Sequence, residues 1–157
     1  MINRPRRNRL TAGIRGLVRE TVIQPANLIW PTFVQEGNNK RTPIVSMPGV
    51  SRLSIDQLVA DSKKAFDLGV PAVALFPVID EALKNSEGKE SLNPDGLLQR
   101  AVKELKQQIP DMTVITDVAL DSYSSDGHDG LVKDGQILND ETLPLLAGMA
   151  VAQAKAG

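Results

Sequence analysis

Three short apolar runs, Leu28 to Val34 (LIWPTFV), Ala72 to Ile79 (AVALFPVI) and Thr113 to Leu120 (TVITDVAL), begin about 40 residues apart, and none alternates cleanly with polar residues. Runs of this length and pattern mark strands buried on both faces. Pro31 weighs against the first, because proline belongs on edge strands and at bulges.

Each run is followed by a loop and a punctuated helix. Ser54 with Gln57 three residues on forms a capping-box pattern, and that helix stops at Gly69. Asn93 as N-cap and Pro94 at the first helical position open the second, striped by Leu97, Leu98, Ala101, Val102 and Leu105. The third starts at Asn139, with Asp140 and Glu141 in the turn where the helix dipole favours acids and Pro144 tolerated there. Its apolar stripe is Leu143, Leu146, Ala147, Ala150 and Ala154.

Strand and helix thus alternate three times, which predicts right-handed crossovers, a parallel sheet and an α/β fold. A fourth strand is due where the sequence reaches Gly157. Eight units at this spacing make a chain of roughly 320 residues, within the range of a (β/α)8 TIM barrel. The expectation is therefore the N-terminal part of such a barrel, about three βα units. A complete three-stranded α/β domain is the alternative.

Composition excludes several function classes. With 18 Lys and Arg against 19 Asp and Glu, no whole-chain field draws in nucleic acid or an anionic membrane. The absence of cysteine excludes disulfides, thiolate metal sites and a Cys nucleophile. No apolar stretch reaches membrane-span length and no signal-peptide core is present, so the expectation is a soluble intracellular protein with a small polar substrate. Arg4, Arg6, Arg7 and Arg9 surround Pro5 and precede Ile14, Leu17 and Val18 at helical spacing. They read either as a solvated tail or as a docking arm for a partner subunit.

The chemistry concentrates after the third run. Asp117 sits at the strand's C-terminal end, followed by Asp121, Asp126, His128 and Asp129, with Gly127 and Gly130 supplying turns. Parallel barrels place their active sites at that end. Two carboxylates about 4 Å apart repel by roughly 4 kcal/mol at an effective dielectric of about 20, so converging Asp residues share a proton or hold a cation. A solvated turn capped by its own Asp side chains is the other reading. An EF-hand is excluded, since with Gly127 as the turn glycine the first ligand is Ser122 and the last Lys133. His128, the sole histidine, is more often structural than catalytic in such a setting. No Ser/His/Asp triad, phosphate-binding glycine loop or zinc-binding histidine pair is present.

Six segments in order, Arg4-Pro5-Arg6-Arg7, Met47-Pro48-Gly49, Ala74-Leu75-Phe76-Pro77, Asn93 to Leu97, Asp117 to Gly130 and Leu138 to Thr142, resemble the porphobilinogen synthases, or 5-aminolevulinate dehydratases. The resemblance implies a (β/α)8 barrel condensing two 5-aminolevulinate molecules into porphobilinogen with loss of two waters, in tetrapyrrole biosynthesis. It implies an N-terminal arm over residues 1–25 that wraps a neighbouring subunit in a homo-octamer, and an incomplete barrel domain over 26–157. It places the protein in the cytoplasm, or in a plastid for a plant or algal form.

The resemblance also implies two Schiff-base lysines, both in the half of the barrel beyond this chain. None of the nine lysines present suits that role: Lys63, Lys64, Lys103, Lys106 and Lys155 fall on helices, and Lys40, Lys84, Lys89 and Lys133 in loops. Asp117 would assist proton transfer and Phe76 would line the substrate pocket. Where some members place three zinc-binding cysteines, this chain has Ala119, Asp121 and Asp129, which resembles the aspartate branch. The implied metal is magnesium held by Asp121 and Asp129; zinc is unfavoured. Ser51 and Ser122 depart from the family pattern, where an aromatic residue and a proline are common. Two other readings remain: a non-catalytic remnant that binds intact subunits through its arm, and an unrelated metal-binding α/β domain.

Overall fold

The computed structural model describes residues 6–157; Arg4 and Pro5 of the basic N-terminal group lie outside the described residues. The chain enters through a short helix α1 (Ala12–Leu17), N-capped by Thr11, whose Oγ1 accepts the Ile14 N–H at 3.2 Å. The three apolar runs yield β1 (Ile29–Val34), β4 (Ala72–Pro77) and β5 (Thr113–Thr116). Two three-residue strands, β2 (Arg41–Pro43) and β3 (Ser51–Leu53), come between the first two runs. All five form one sheet in the order β2-β3-β1-β4-β5, with every neighbouring pair parallel except β2 and β3. Helices α2 (Ile55–Asp67), α3 (Leu97–Gln108) and α4 (Asn139–Ala156) follow the strands as the alternation predicts, and this is the layout of a partial (β/α) barrel.

Pro31 lies inside β1, away from the sheet edge, and the ladder explains why it is tolerated. The Val34 carbonyl accepts from Val78 on the β4 side, whereas the Gln35 N–H donates to Leu53 on the β3 side. Residues of Gln35's parity, Pro31 among them, therefore turn their backbone groups toward β3. That strand reaches only Phe33 and Val34, so no bond is due at Pro31.

The strands are buried on one face, not on both. Val34, Val73 and Leu75 are sealed beneath α2 and α3 together with Leu58, Leu98, Ala101 and Leu105. Each Val or Leu side chain so buried contributes about 1.5–3 kcal/mol. The opposite face carries exposed Ile29 and Ile115 and half-buried Phe33 and Phe76. An uninterrupted apolar run does not reveal which face its own chain covers.

The punctuation is corrected in three places. Ser54 does cap α2 by position, but its Oγ accepts from Lys40 N and donates to Asp56, so no capping box forms. Gln57 instead accepts from Arg41 and donates to Asn39. Asn93 organises the turn before α3, its Oδ1 accepting from Asp95 N, and the helix starts at Leu97 behind Gly96. In α4 the buried positions are Thr142, Met149, Gln153 and Ala156, while Leu143, Ala147, Ala150 and Ala154 are exposed. The expected stop of α2 at Gly69 holds: at φ +89° it closes a Schellman turn, with Gly69 N to Phe66 O and Val70 N to Ala65 O.

The uncovered sheet face and the open edge of β5 predict self-association of residues 1–157. Sedimentation at micromolar concentration is expected to show oligomers; a monomer with one sharp unfolding transition would contradict it. A second prediction concerns Asp61, which bonds Arg41 on β2 at 2.6 Å and Lys64 at 3.0 Å. Burial pushes its carboxyl upward, but the Arg41 hydrogen bond and the two cations outweigh burial and hold it below the usual Asp value. Its contribution is therefore full above the unfolded pKa of about 3.9 and is lost as pH falls through the lower folded value. Asp61→Asn should flatten stability against pH in that acid range, read by denaturant titration.

Candidate functional site

The parallel register aligns one row of residues across the uncovered face near the strands' C-terminal ends. Phe33 of β1 pairs with Arg52 of β3 on one side and with Phe76 of β4 on the other. The two rings meet tilted, centroids 5.8 Å apart. Leu75 pairs with Thr116, the last residue of β5, so Asp117 falls level with Phe76 one step further along. The third apolar run thus ends its strand earlier than the sequence suggests, and Asp117 is the first residue of the loop.

Gln153 of α4 fixes that first loop residue. Its Nε2 donates to the Asp117 carbonyl at 2.8 Å and its Oε1 accepts from Thr116 Oγ1 at 3.0 Å. The Asp117 carboxylate is left exposed, with no hydrogen bond to a described residue. A polar side chain on the same helix face as buried Met149 was the available sign of this anchor, and the sequence reading passed over it.

The loop then folds back on itself. Asp129 Oδ1 accepts the backbone N–H of Leu120 at 3.1 Å and of Asp121 at 3.3 Å, which sets the Asp129 carboxylate against the Asp121 backbone. Asp126 and His128 point to solvent and stand apart from this arrangement. Of the two glycines, Gly127 makes a turn at φ +67°, whereas Gly130 permits close packing: a Cβ there would lie 2.6 Å from Ile137. Ile137 belongs to a hairpin, β6 (Leu131–Lys133) and β7 (Gln136–Leu138), turned by Asp134 and Gly135 at φ +51° and +73°. That Asp-Gly between short apolar segments is a hairpin signal the reading missed. Thr142 pins the hairpin to α4, accepting from Leu131 N and donating to the Leu138 carbonyl.

A cleft of about 520 Å³ opens at this end of the sheet. Phe33, Phe76, Ile44 and Met47 give it apolar walls, and Arg52, Glu81, Lys84 and Asp121 bring charge to it. Phe76 and Asp121 therefore share one cleft, whose lining includes neither Asp117 nor Asp129. Lys84 is not the solvated loop lysine expected: its side chain is only 20% exposed and it pairs with Glu81 at 2.6 Å. Lys89 and Lys133 likewise belong to elements, a 3-10 turn and β6.

Asp121 and Asp129 fit a hard, hydrated cation better than a closed tetrahedral metal site. One oxygen of Asp129 is committed to two N–H groups, and no group of three or more His, Asp or Glu residues converges among the described residues. Magnesium is held through one or two carboxylates and keeps several waters, whereas structural zinc takes four protein ligands, mostly nitrogen and sulfur.

A sheet of parallel strands with helices on one face and its polar cleft at the strands' C-terminal ends defines the class as a (β/α) barrel. The profile of the delta-aminolevulinic acid dehydratase family matches residues 2–157. The chain is 51% identical over 154 residues to the Bradyrhizobium diazoefficiens delta-aminolevulinic acid dehydratase, covering 98% of this chain and 44% of that protein. It is 53% identical to the chloroplastic enzyme of Selaginella martensii, covering 100% and 38%. The crystal structure of delta-aminolevulinic acid dehydratase (porphobilinogen synthase) from Toxoplasma gondii ME49, in complex with the reaction product porphobilinogen, superposes with a TM-score of 0.94 at 46% identity. It covers 100% of this chain and 45% of that one. The chain belongs to the delta-aminolevulinic acid dehydratase family and spans under half the length of these relatives.

Beneath the loop, Tyr123 is 3% exposed and its hydroxyl has no hydrogen-bond partner among the described residues. Burial, with Glu90 nearby, pushes its pKa well above the ordinary tyrosine value. An unpaired buried hydroxyl contributes nothing to offset its lost hydration, so Tyr123→Phe should leave stability unchanged within about 1 kcal/mol or raise it. A larger loss in denaturant titration would show that the hydroxyl holds a bound water.

Proposed function

We propose that this chain provides the first βα units of a porphobilinogen synthase barrel that condenses two 5-aminolevulinate molecules into porphobilinogen with loss of two waters. The observation that carries the reading is the Asp117 to Gly130 loop, folded at the strand ends beside the Phe76 cleft in a chain matched by the family profile over residues 2–157. Tetrapyrrole biosynthesis is then its setting, in the cytoplasm or in a plastid.

The roles divide by position. Phe76, stacked against Phe33, gives the substrate's carbon chain an apolar wall and excludes water from one side. Asp117, its carboxylate without a hydrogen bond among the described residues and its carbonyl anchored by Gln153, is suited to accept and return a proton from substrate lying over the cleft. Asp121 and Asp129 would hold magnesium, which when bound supplies positive charge at the cleft and ties the loop to it. Capture of a ketone needs a neutral, desolvated amine that adds to the carbonyl to give a carbinolamine, which loses water as the imine forms. Lys84, the most sheltered candidate in the cleft, has its ammonium paired with Glu81 and fits poorly. The two Schiff-base lysines are therefore assigned to the remaining barrel strands.

The arm reading also has support. Leu10, Leu17 and Ile23 are 76%, 88% and 77% exposed before the barrel begins, alongside Arg6, Arg7 and Arg9, which suits docking on a second subunit of a homo-octamer.

Residues 1–157 alone should be inert. Borohydride treatment with 5-aminolevulinate is expected to leave the chain's mass unchanged, while co-folding with a chain supplying the remaining strands should label only that second chain. Substrate attached to any of these nine lysines would overturn the division of labour. In the complete enzyme magnesium should stimulate activity and Asp121→Ala with Asp129→Ala should abolish the response. A requirement met only by zinc would refute the metal reading.

A further inference from the structure

The Asp117 carboxylate is aimed from behind the sheet. The β4–β5 ladder ends where Leu75 pairs with Thr116, and β5 has no strand on its other side among the described residues. Asp117, one residue past the last pair, is held from the helix layer instead. Gln153 is 6% exposed on the inner face of α4, one turn after buried Met149. Its amide forks, Nε2 donating to the Asp117 carbonyl at 2.8 Å and Oε1 accepting from Thr116 Oγ1 at 3.0 Å. A carbonyl only accepts, so the amide has one orientation in which both bonds form. The fork borders a hollow of about 270 Å³ whose other side chains, Val102, Val114, Val118, Ala150 and Ala154, are apolar. Hydrogen bonds gain strength in such surroundings, and groups left unpaired there are costly.

Alternation along β5 gives the fork its consequence. Thr116 turns its hydroxyl to the helices, while Ile115 before it is exposed on the uncovered face. The next side chain of Ile115's parity is that of Asp117, which is exposed as well. Gln153 therefore grips the peptide on one side and the carboxylate leaves on the other. A bond to the carboxylate itself would occupy an oxygen that has to accept a proton and would favour the charged form. Holding the carbonyl fixes the direction of the side chain and leaves both of its oxygens free.

We propose that Gln153 is a positioning residue for proton transfer at Asp117. It touches no substrate and acts only through the backbone it holds. The inference rests on the porphobilinogen synthase reading and deepens it, because it brings a helix behind the sheet into the geometry of the site.

The test is a double-mutant cycle in the complete enzyme, combining Asp117→Asn with Gln153→Met, which keeps the length of the side chain and removes both bonds. In steady-state kinetics with 5-aminolevulinate, Gln153→Met should lower kcat by about 10- to 100-fold, the scale of a misplacement of about 1 Å, and change KM by less than about threefold. In the Asp117→Asn background the same substitution should lower kcat by less than about twofold, since the group it positions is already gone. An equal fall in both backgrounds would mark a general structural loss and overturn the Gln153 assignment alone, as would an unchanged kcat in Gln153→Met. If Gln153→Met does not fold, or Asp117→Asn turns over too slowly to measure, Gln153→Glu decides, because it keeps the acceptor for Thr116 and loses the donor to Asp117. Lowered kcat at unchanged KM in that variant upholds the assignment, and any other pattern overturns it. Asp117→Asn with wild-type kcat overturns the proton-transfer role and this inference with it, and wild type that makes no porphobilinogen overturns the functional reading as a whole.

Discussion

The six-residue parallel ladder between β1 and β4, from Ile29 with Ala72 to Val34 with Pro77, is the constraint on which the remaining structure depends. It sets a common register from which β3 and β5 are aligned on either side. It places alternate residues on two faces, so that Val34, Val73 and Leu75 bury against helices while Phe33 and Phe76 meet on the other side. A slip of one residue would reverse both sets at once. The helix-side core would then receive phenylalanines and the cleft would lose its floor.

From that register the loops inherit their places. The β5 to α4 connection leaves the sheet at Thr116 and is tied down at three points: at Asp117 by Gln153, within itself by Asp129, and at its far end by Thr142. The isolated bridge between Asn85 and Ser124 joins it to the neighbouring loop after β4. Within the loop the Asp129 carboxylate is held by two backbone donors, Leu120 N and Asp121 N. Charged acceptors gain more from such bonds than neutral ones, so Asp129 both closes the loop and restrains the position of Asp121.

Much of this was legible in the sequence because the strands and helices alternate at an even spacing and the α3 stripe of Leu97, Leu98, Ala101, Val102 and Leu105 is unambiguous; all five are buried. What failed was phase and local competition. Helix α4 has apolar residues nearly all round, so its periodicity could not say which face turns inward, and polar Thr142 and Gln153 proved to be the buried pair because they have partners there. Ser54 and Gln57 had the spacing of a capping box, yet Lys40, Asp56 and Asn39 offered closer partners. Strands β2 and β3 were invisible as three-residue segments that depend on their mutual antiparallel pairing and on the parallel pairing of β3 with β1.

The candidate site divides along the same line. Asp117, Asp121 and Asp129 drew attention because charge density at the end of an apolar run is unusual, and the structure sets the Asp129 carboxylate against the Asp121 backbone and Asp117 level with Phe76. Arg52 was hidden, because nothing in a single exposed arginine on a short strand distinguishes it from solvated surface. Its place in the cleft appears only once the register carries it into line with two phenylalanines contributed by β1 and β4. A barrel assembles its site from the ends of separate strands, so the residues most local in sequence are recovered first and those joined only by lateral pairing last.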